Sequence, residues 1–439
     1  MITQENKTLA HWAMDFARAN GCQAVRLALY SNESSSFELL DGNMDRLQQA
    51  AESGLGISLF VDGRFGTYST NRLRRDELAT FIENGIASTR CLSPDPARAL
   101  PDPSRYYRGG LPDLEQCDAH YYNILPDEKV ALARTVAEEA LGRDGRIVSV
   151  ASSYSDGVST IYRLSSNGFE GEMSATWFSL SANVSVRDQG DARPSEFWYE
   201  TSLHYGSLTR TGIGATALAR ALRKLGQRKV PTGRYTLVVD AYSTGRLLAP
   251  LVNALYGSAL QQKDSFLLGR MGQAIGSSLL TLRDEPHLVG ARGARYFDNE
   301  GVATQPRMVV DGGVLRHYYI DTYNARKLGM EPTVASPSQL VLAPGVKGQD
   351  ELLADVGRGI LVTGFNGGNC NSATGDFSYG IEGFYIEDGK PTFPVSEMNI
   401  TGNMLGLWAS LAAVGSDPVR SSAWHVPSLV FEGVDCSGL

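Results

Sequence analysis

Zinc-dependent hydrolysis asks for two imidazoles on one helical face with a carboxylate between them, because the rings hold the metal while the carboxylate takes a proton from the bound water. The chain carries six histidines, His11, His120, His204, His287, His317 and His425, and no two of them are close in sequence. A helix-borne pair is therefore absent, which leaves open only a dispersed metal site assembled from distant segments. No Gly-x-Ser-x-Gly elbow presents a serine nucleophile. The five cysteines, Cys22, Cys91, Cys117, Cys370 and Cys436, stand singly and form no Cys-x-x-Cys pair. Neither a disulfide framework nor a thiolate zinc knuckle is expected from that spacing. Cys370 alone sits where a nucleophile could be positioned. It would need a base such as His287, His317 or His425 beside it, and nothing near it in sequence activates it.

The stretch that holds Cys370, Thr363 to Gly380, is the most unusual in the chain. It reads Thr-Gly-Phe-Asn-Gly-Gly-Asn-Cys-Asn-Ser-Ala-Thr-Gly-Asp-Phe-Ser-Tyr-Gly, between the strand-like runs Gly359 to Val362 and Ile381 to Ile386. These residues offer amides, hydroxyls and backbone freedom but little core, so the expectation is a long polar loop ordered by a ligand, a partner or a neighbouring domain. Gly364-Phe-Asn-Gly-Gly-Asn lacks the Gly-Lys-Ser/Thr ending of a phosphate loop and no helix follows it. Asp298, Glu300, Asp311, Asp376 and Glu382 lie near turns and read as turn formers.

A chain of 439 residues is long enough for two or three cores. Its formal net charge of -8 argues against nucleic acid as the main partner. The densest basic cluster, Arg220, Arg223, Lys224, Arg228 and Lys229, reads as the solvated end of a helix. No apolar run reaches the roughly 18 residues that span a bilayer and the first residues show no charged-then-apolar leader, so a cytoplasmic protein without membrane contact is expected.

Periodicity divides the chain into units. Residues 1–91 read as a small α+β domain: a helix over 5–19 with Leu9, Trp12, Ala13 and Phe16, strands Ala24 to Tyr30 and Ser36 to Leu40, a hairpin turning at Asp62-Gly63, and a helix over Arg72 to Ile86. Prolines crowd residues 92–112, an extended linker. Residues 113–229 form a middle α+β unit: a helix over Pro126 to Leu141, strands Arg146 to Ser153, Ser159 to Ser165, Met173 to Val186 and Glu196 to Ser202, and a helix over Gly214 to Leu225. Residues 230–439 begin with a strand, Tyr235 to Asp240, and a buried helix bearing Leu247, Leu248, Leu251, Val252, Leu255 and Leu260. Pro250 suits the first turn of that helix if it starts at Ala249, or else marks a kink. Strands are expected at Leu279 to Arg283, Ala294 to Phe297, Arg307 to Val310 and Gly313 to Tyr319, the last two turning at Asp311-Gly312.

Three segments, Phe297-Asp-Asn-Glu-Gly-Val-Ala-Thr304, Val310-Asp-Gly-Gly-Val-Leu315 and Tyr323-Asn-Ala-Arg-Lys-Leu-Gly329, resemble in order and spacing the TldD/PmbA family, also called modulators of DNA gyrase. Leu361-Val-Thr-Gly364, Ala373-Thr-Gly-Asp-Phe-Ser-Tyr-Gly380 and Ile400-Thr-Gly-Asn403 continue the match. The resemblance is specific over 230–439 and implies an α+β fold, with an N-terminal α/β part and a large β-rich C-terminal domain. Catalytic members carry His-Glu-x-x-x-His on a helix behind Gly-x-Leu-Leu. The corresponding stretch is Gly245-Arg-Leu-Leu-Ala-Pro-Leu-Val-Asn-Ala254, which puts Ala249, Pro250 and Ala254 where histidine, glutamate and histidine belong. Methyl groups and a pyrrolidine ligate nothing, so no metal and no cofactor is expected.

The resemblance thus implies a PmbA/TldE-like, non-catalytic subunit that pairs with a TldD-like catalytic subunit in a cytoplasmic zinc peptidase trimming unfolded peptides, with a homodimer also open. Thr363, Gly364, Asn366, Gly367, Gly368, Asn369, Thr374 and Gly375 would line the peptide channel or the subunit contact, taking an extended peptide by β-augmentation. The alternatives are a free-standing peptidase using Cys370 or a dispersed metal site, and a binding protein acting on gyrase.

Overall fold

The computed structural model describes residues 2–439. Helix α1 (Gln4–Ala19) opens on a reciprocal cap, in which the Asn6 N–H donates to the Thr3 hydroxyl and the Thr3 N–H donates to the Asn6 side chain. It is followed by β1 (Ala24–Leu40), β2 (Asn43–Val61), β3 (Arg64–Thr70) and α2 (Arg75–Arg90). Beyond the proline-rich segment come α3 (Pro126–Glu138), β4 (Ile147–Ser165), β5 (Phe169–Val186), β6 (Ser195–Ser202) and α4 (Ile213–Arg223). The six strands form one antiparallel sheet in the order β3-β2-β1-β4-β5-β6. The two N-terminal units read from the sequence therefore share a sheet, because β1 pairs with β4 from Arg26↔Ser165 to Leu40↔Ala151.

On β1, Val25, Leu27, Leu29, Phe37 and Leu39 are all buried and all odd-numbered, so they line one face. Two cores lie along that face. One holds Leu27, Leu59 and Ile82 beneath α1 and α2, the other Phe37, Val136, Phe178 and Ala217 beneath α3 and α4. Between them the strands pass through polar residues, which is why β1 and β4 each read as two runs in the sequence. The gap is filled by Asp156, fully buried, which accepts from the Ser35 hydroxyl at 2.6 Å and the Tyr154 hydroxyl at 2.8 Å and pairs with the Lys129 ammonium at 2.6 Å. A buried charge met on all sides leaves the ladder unbroken.

The proline-rich segment is extended, as its composition requires, and it is strapped down. Tyr106 is buried against Phe169, their rings 5.1 Å apart, and Tyr107 stacks on Tyr296 at 5.2 Å. The segment thereby pins the opposite face of the first sheet to the C-terminal part.

The C-terminal part runs β7 (Gly233–Val239), α5 (Gly245–Asn253), α6 (Gly257–Gln261), β8 (Leu282–Asp284), β9 (Arg307–Asp311), β10 (Val314–Leu315), α7 (Thr322–Leu328), β11 (Leu340–Leu342), α8 (Gln349–Val356), β12 (Gly359–Cys370), β13 (Asp376–Glu387), β14 (Lys390–Asn403), α9 (Met404–Ala409), β15 (Leu411–Val414), β16 (Trp424–His425) and β17 (Leu429–Ser437). Its main sheet has the order β14-β13-β12-β7-β17-β15 and curls until β14 also pairs with β17, from Asn399↔Ser437 to Thr401↔Asp435. That closure protects strand edges that would otherwise be free. A smaller sheet, β10-β9-β8-β11-β16, packs on the same core. The α+β class with a β-rich C-terminal region is what the chain adopts.

Several expectations are corrected here. Residues Ala294 to Phe297 form no strand, and the strand expected over Gly313 to Tyr319 is reduced to β10. The hairpin turns at Gly312-Gly313, since Asp311 pairs with Val314. Only glycine fits at Gly313, whose φ is +81° and whose added Cβ would lie 2.4 Å from the Gly276 carbonyl. The buried helix starts at Gly245, not Ala249, so Pro250 sits inside it. It is also not continuous with α6: the Gly257 N–H donates to the Tyr319 carbonyl at 2.7 Å, which turns the chain aside. The stretch Thr363 to Gly380 is not a loop but the greater part of a long hairpin, β12–β13, with only residues 371–375 in the turn.

Pro250 deprives the Arg246 carbonyl of its helical donor. Pro250→Ala restores that bond and is expected to stabilise the protein by about 2 kcal/mol, the proline penalty less the entropy that proline removes from the unfolded chain. Urea unfolding measures it as a raised midpoint; an unchanged or lower midpoint would show that the proline is not strained.

Candidate functional site

Strand β12 is covered on one side by β13 throughout, but on the other side β7 accompanies it only from Ile360 to Val362. The last contact is the Asp240 N–H donating to the Val362 carbonyl at 3.0 Å. From Thr363 onward the edge of β12 faces a groove. The strand bulges there, since Asn366 opposes Gly380 and Asn369 opposes Ser378, with Gly367 and Gly368 at φ of +71° and +80° between them. Gly368 is obligatory: a Cβ would lie 2.1 Å from the Ser378 carbonyl.

The groove has two compartments. The larger, about 370 Å³, is lined by Thr363, Gly364, Phe365 and Asn366 of β12, by Glu196 to Tyr199 of β6, and by Tyr242, Ser243 and Arg246 at the start of α5. The smaller, about 280 Å³, is lined by Gly368, Asn369, Cys370, Ser372, Tyr379, and by Arg246, Ala249, Pro250 and Asn253 of α5. Arg246 belongs to both. Its guanidinium donates to the Gly368 carbonyl at 2.9 Å and the Gly367 carbonyl at 3.4 Å, and lies 4.8 Å over the Tyr379 ring.

The structure thus brings Thr363, Gly364, Asn366, Gly367, Gly368 and Asn369 into one groove with Ala249 and Pro250. It does not bring Thr374 and Gly375 there. These stay in the hairpin turn, where the Thr374 hydroxyl donates to Asp376 at 2.8 Å and Gly375 packs on Phe266. Nor does Ala254 face the groove. Five residues on from Ala249 it is turned about 140° round the helix, is buried, and its carbonyl accepts from the Ser265 hydroxyl at 2.6 Å. Asn253, four residues on, takes the groove position.

What α5 offers a metal on this face is two hydrocarbon surfaces and one neutral amide. Those residues do not fit a zinc ion. Among the described residues no cluster of three or more histidine, cysteine, aspartate or glutamate side chains is arranged to hold one. Burial, with Asp376 adding to it, pushes the Cys370 thiol up, opposite to the shift an attacking thiolate needs. The imidazoles named as its bases are engaged elsewhere: His287 with the Thr304 hydroxyl at 3.1 Å, His317 beside Arg307 at 3.4 Å, and His425 with the Arg420 carbonyl at 3.0 Å.

Arg220 of the basic cluster lines the larger compartment, and the cluster is not a solvated helix end. The Lys224 ammonium lies 2.6 Å from Glu196 of β6 and 2.9 Å from Glu382 of β13, and Arg220 pairs with Glu196 at 3.2 Å. Arg223 lies over Phe384 at 4.2 Å and Arg228 over Phe393 at 3.6 Å. The cations clamp the first sheet to the C-terminal hairpin. Asp240, buried beneath, is pushed up by burial, against the pull of its hydrogen bond from the Ser243 N–H at 2.8 Å and of Arg220. The same compartment is lined by Trp198 and Tyr242, ring centroids 4.5 Å apart, and by the exposed Phe197 stacked with Tyr199.

The sequence reading missed Arg246, Lys224, Glu196 and this aromatic wall. One signal was present: Ala241-Tyr-Ser-Thr-Gly-Arg246 joins a strand to a helix at the carboxyl end of a parallel strand pair, where sheets of this kind take ligands. A wider cavity of about 510 Å³, lined by Gln116, Met173 and Arg295 among others, holds none of the expected residues.

Comparison with known proteins follows the same lines. Residues 232–438 match the PmbA/TldA metallopeptidase C-terminal domain, 120–225 the central domain and 25–89 domain 1. The metalloprotease PmbA of Escherichia coli O157:H7 is 29% identical over 381 residues, covering 86% of this chain and 84% of the relative. A crystal structure from Bacteroides thetaiotaomicron VPI-5482, provisionally named a modulator of DNA gyrase, is 62% identical, covers 100% of both chains and has a TM-score of 0.98. TldE from Thermococcus kodakarensis shares the fold, with a TM-score of 0.83 at 20% identity over 98% of this chain and 99% of that one.

Removing the Lys224 charge leaves Glu382 without a cation and Glu196 with Arg220 alone, so Lys224→Met is expected to destabilise the protein by about 3 kcal/mol. Denaturant unfolding reads the loss, and hydrogen exchange should show faster exchange in β6 and in residues 363–366. Unchanged stability would mean that the clamp is not needed.

Proposed function

The chain belongs to the PmbA/TldD metallopeptidase family, and on that premise we propose that it is a non-catalytic, PmbA/TldE-like subunit. In this reading it works with a TldD-like catalytic subunit in the cytoplasm and holds an extended peptide along the free edge of β12. The observation that carries the proposal is the groove face of α5. Ala249, Pro250 and Asn253 stand on the helix that would bear the metal ligands, and none of them supplies an imidazole, a carboxylate or a thiolate. Beside it runs a strand edge able to donate to and accept from a peptide backbone without reading its sequence. Loss of the ligands alongside a retained groove fits a subunit that positions substrate for chemistry performed next to it. Among the described residues no helix is long and apolar enough to cross a membrane. The proposed partners are the catalytic subunit and the peptide, with self-association as the alternative arrangement.

The purified chain, alone and mixed with a TldD-like protein, should be assayed for bound zinc by elemental analysis and for cleavage of an unfolded peptide. No stoichiometric zinc and no turnover are expected from the lone chain, and turnover is expected from the mixture. Chelator-sensitive turnover by the lone chain would overturn the reading. Asn366→Trp, at an exposed position, fills the larger compartment and should lower turnover by the mixture roughly tenfold, about 1.4 kcal/mol, with thermal stability unchanged.

A further inference from the structure

Among the described residues, Arg246 is the one cation lining the groove that has no anionic partner. The other charges lining the larger compartment answer one another: Glu196 is paired with Arg220 and Lys224, and Glu382 with Lys224 and the Asn366 amide at 3.2 Å. Arg246 has no carboxylate within ion-pairing distance among the described residues. Its donors reach only two backbone carbonyls and an aromatic face, and the side chain is exposed. A guanidinium presents five donors in a planar fork, of which two contacts are satisfied here. It lines the larger compartment with Thr363 to Asn366 and borders the smaller one as well, so a chain lying along Thr363 to Asn366 meets it at the junction of the two.

We infer that Arg246 receives the C-terminal carboxylate of a bound peptide, so the groove selects chain ends and takes peptides by that end. This inference rests on the peptide-groove reading above and specifies it. The carboxylate offers the guanidinium a charged, bidentate partner in place of two neutral carbonyls. The class of peptide follows from the walls. Trp198, Tyr242 and Phe365 give the last residues aromatic surface, and the paired glutamates leave no free negative charge to attract a basic side chain. The occupant is a peptide with apolar or aromatic residues next to a free terminal carboxylate. Arg246 separates the two compartments, so a chain continuing past it would have to displace its contacts with Gly367 and Gly368. An internal segment is thus held less well than an end.

The test is fluorescence anisotropy on the full chain with an N-terminally fluorescein-labelled pentapeptide of alternating alanine and phenylalanine, as the free acid and as the C-terminal amide. The wild-type chain should bind the acid about tenfold more tightly than the amide, the size of one charge-assisted contact. Arg246→Gln should bind both forms as weakly as the wild type binds the amide, while Arg246→Lys should keep part of the preference. The two wild-type measurements decide the matter even if a variant folds poorly. Equal binding of acid and amide to the wild type would overturn the carboxylate anchor and leave the groove reading standing. Binding of neither form would overturn both.

Discussion

Lys224 projects from the last turn of α4 between two carboxylates that belong to different parts of the molecule, Glu196 on the outer strand of the first sheet and Glu382 on the C-terminal hairpin. All three side chains are nearly buried, so each charge depends on the others for the solvation it has lost. Such a triad adds little net stability over a well-packed apolar contact, but it fixes geometry, because neither glutamate can move without stranding a charge. The consequence is a groove of set width. Strand β6, which carries Trp198, and the free edge of β12 both line that groove, with Tyr242 beside Trp198.

That constraint explains why the groove persists on a chain whose α5 has no metal ligands. The edge of β12 owes its form to glycine: Gly368 must be glycine to pass the Ser378 carbonyl, and the bulge it allows turns the Gly367 and Gly368 carbonyls toward Arg246. None of this needs a metal. The interior proline of α5 costs the helix a hydrogen bond and supplies no ligand.

Much of the architecture was legible in the residues, and the failures have physical causes. Helices with a regular apolar stripe were placed within a few residues. Strands β1 and β4 read as interrupted because the residues between their apolar runs are polar, and only the structure reveals that Asp156, Ser35, Tyr154 and Lys129 satisfy one another inside. Thr363 to Gly380 read as a loop because a strand edge that faces a groove has no core to impose alternation. The cations of α4 read as solvated because helical periodicity identifies the face turned from one core without showing that a second body covers it. Of the three helix positions named from the family resemblance, Ala249 and Pro250 line the groove and Ala254 is buried away from it, a difference of helical face that a linear alignment does not display.

The central claim is that this subunit itself holds the peptide. Hydrogen–deuterium exchange of the chain in complex with a TldD-like partner, with and without an uncleaved unfolded peptide, tests it directly. The account predicts that peptide slows exchange in residues 363–366 of this chain. Protection confined to the catalytic partner, with the β12 edge exchanging as fast as before, would contradict it.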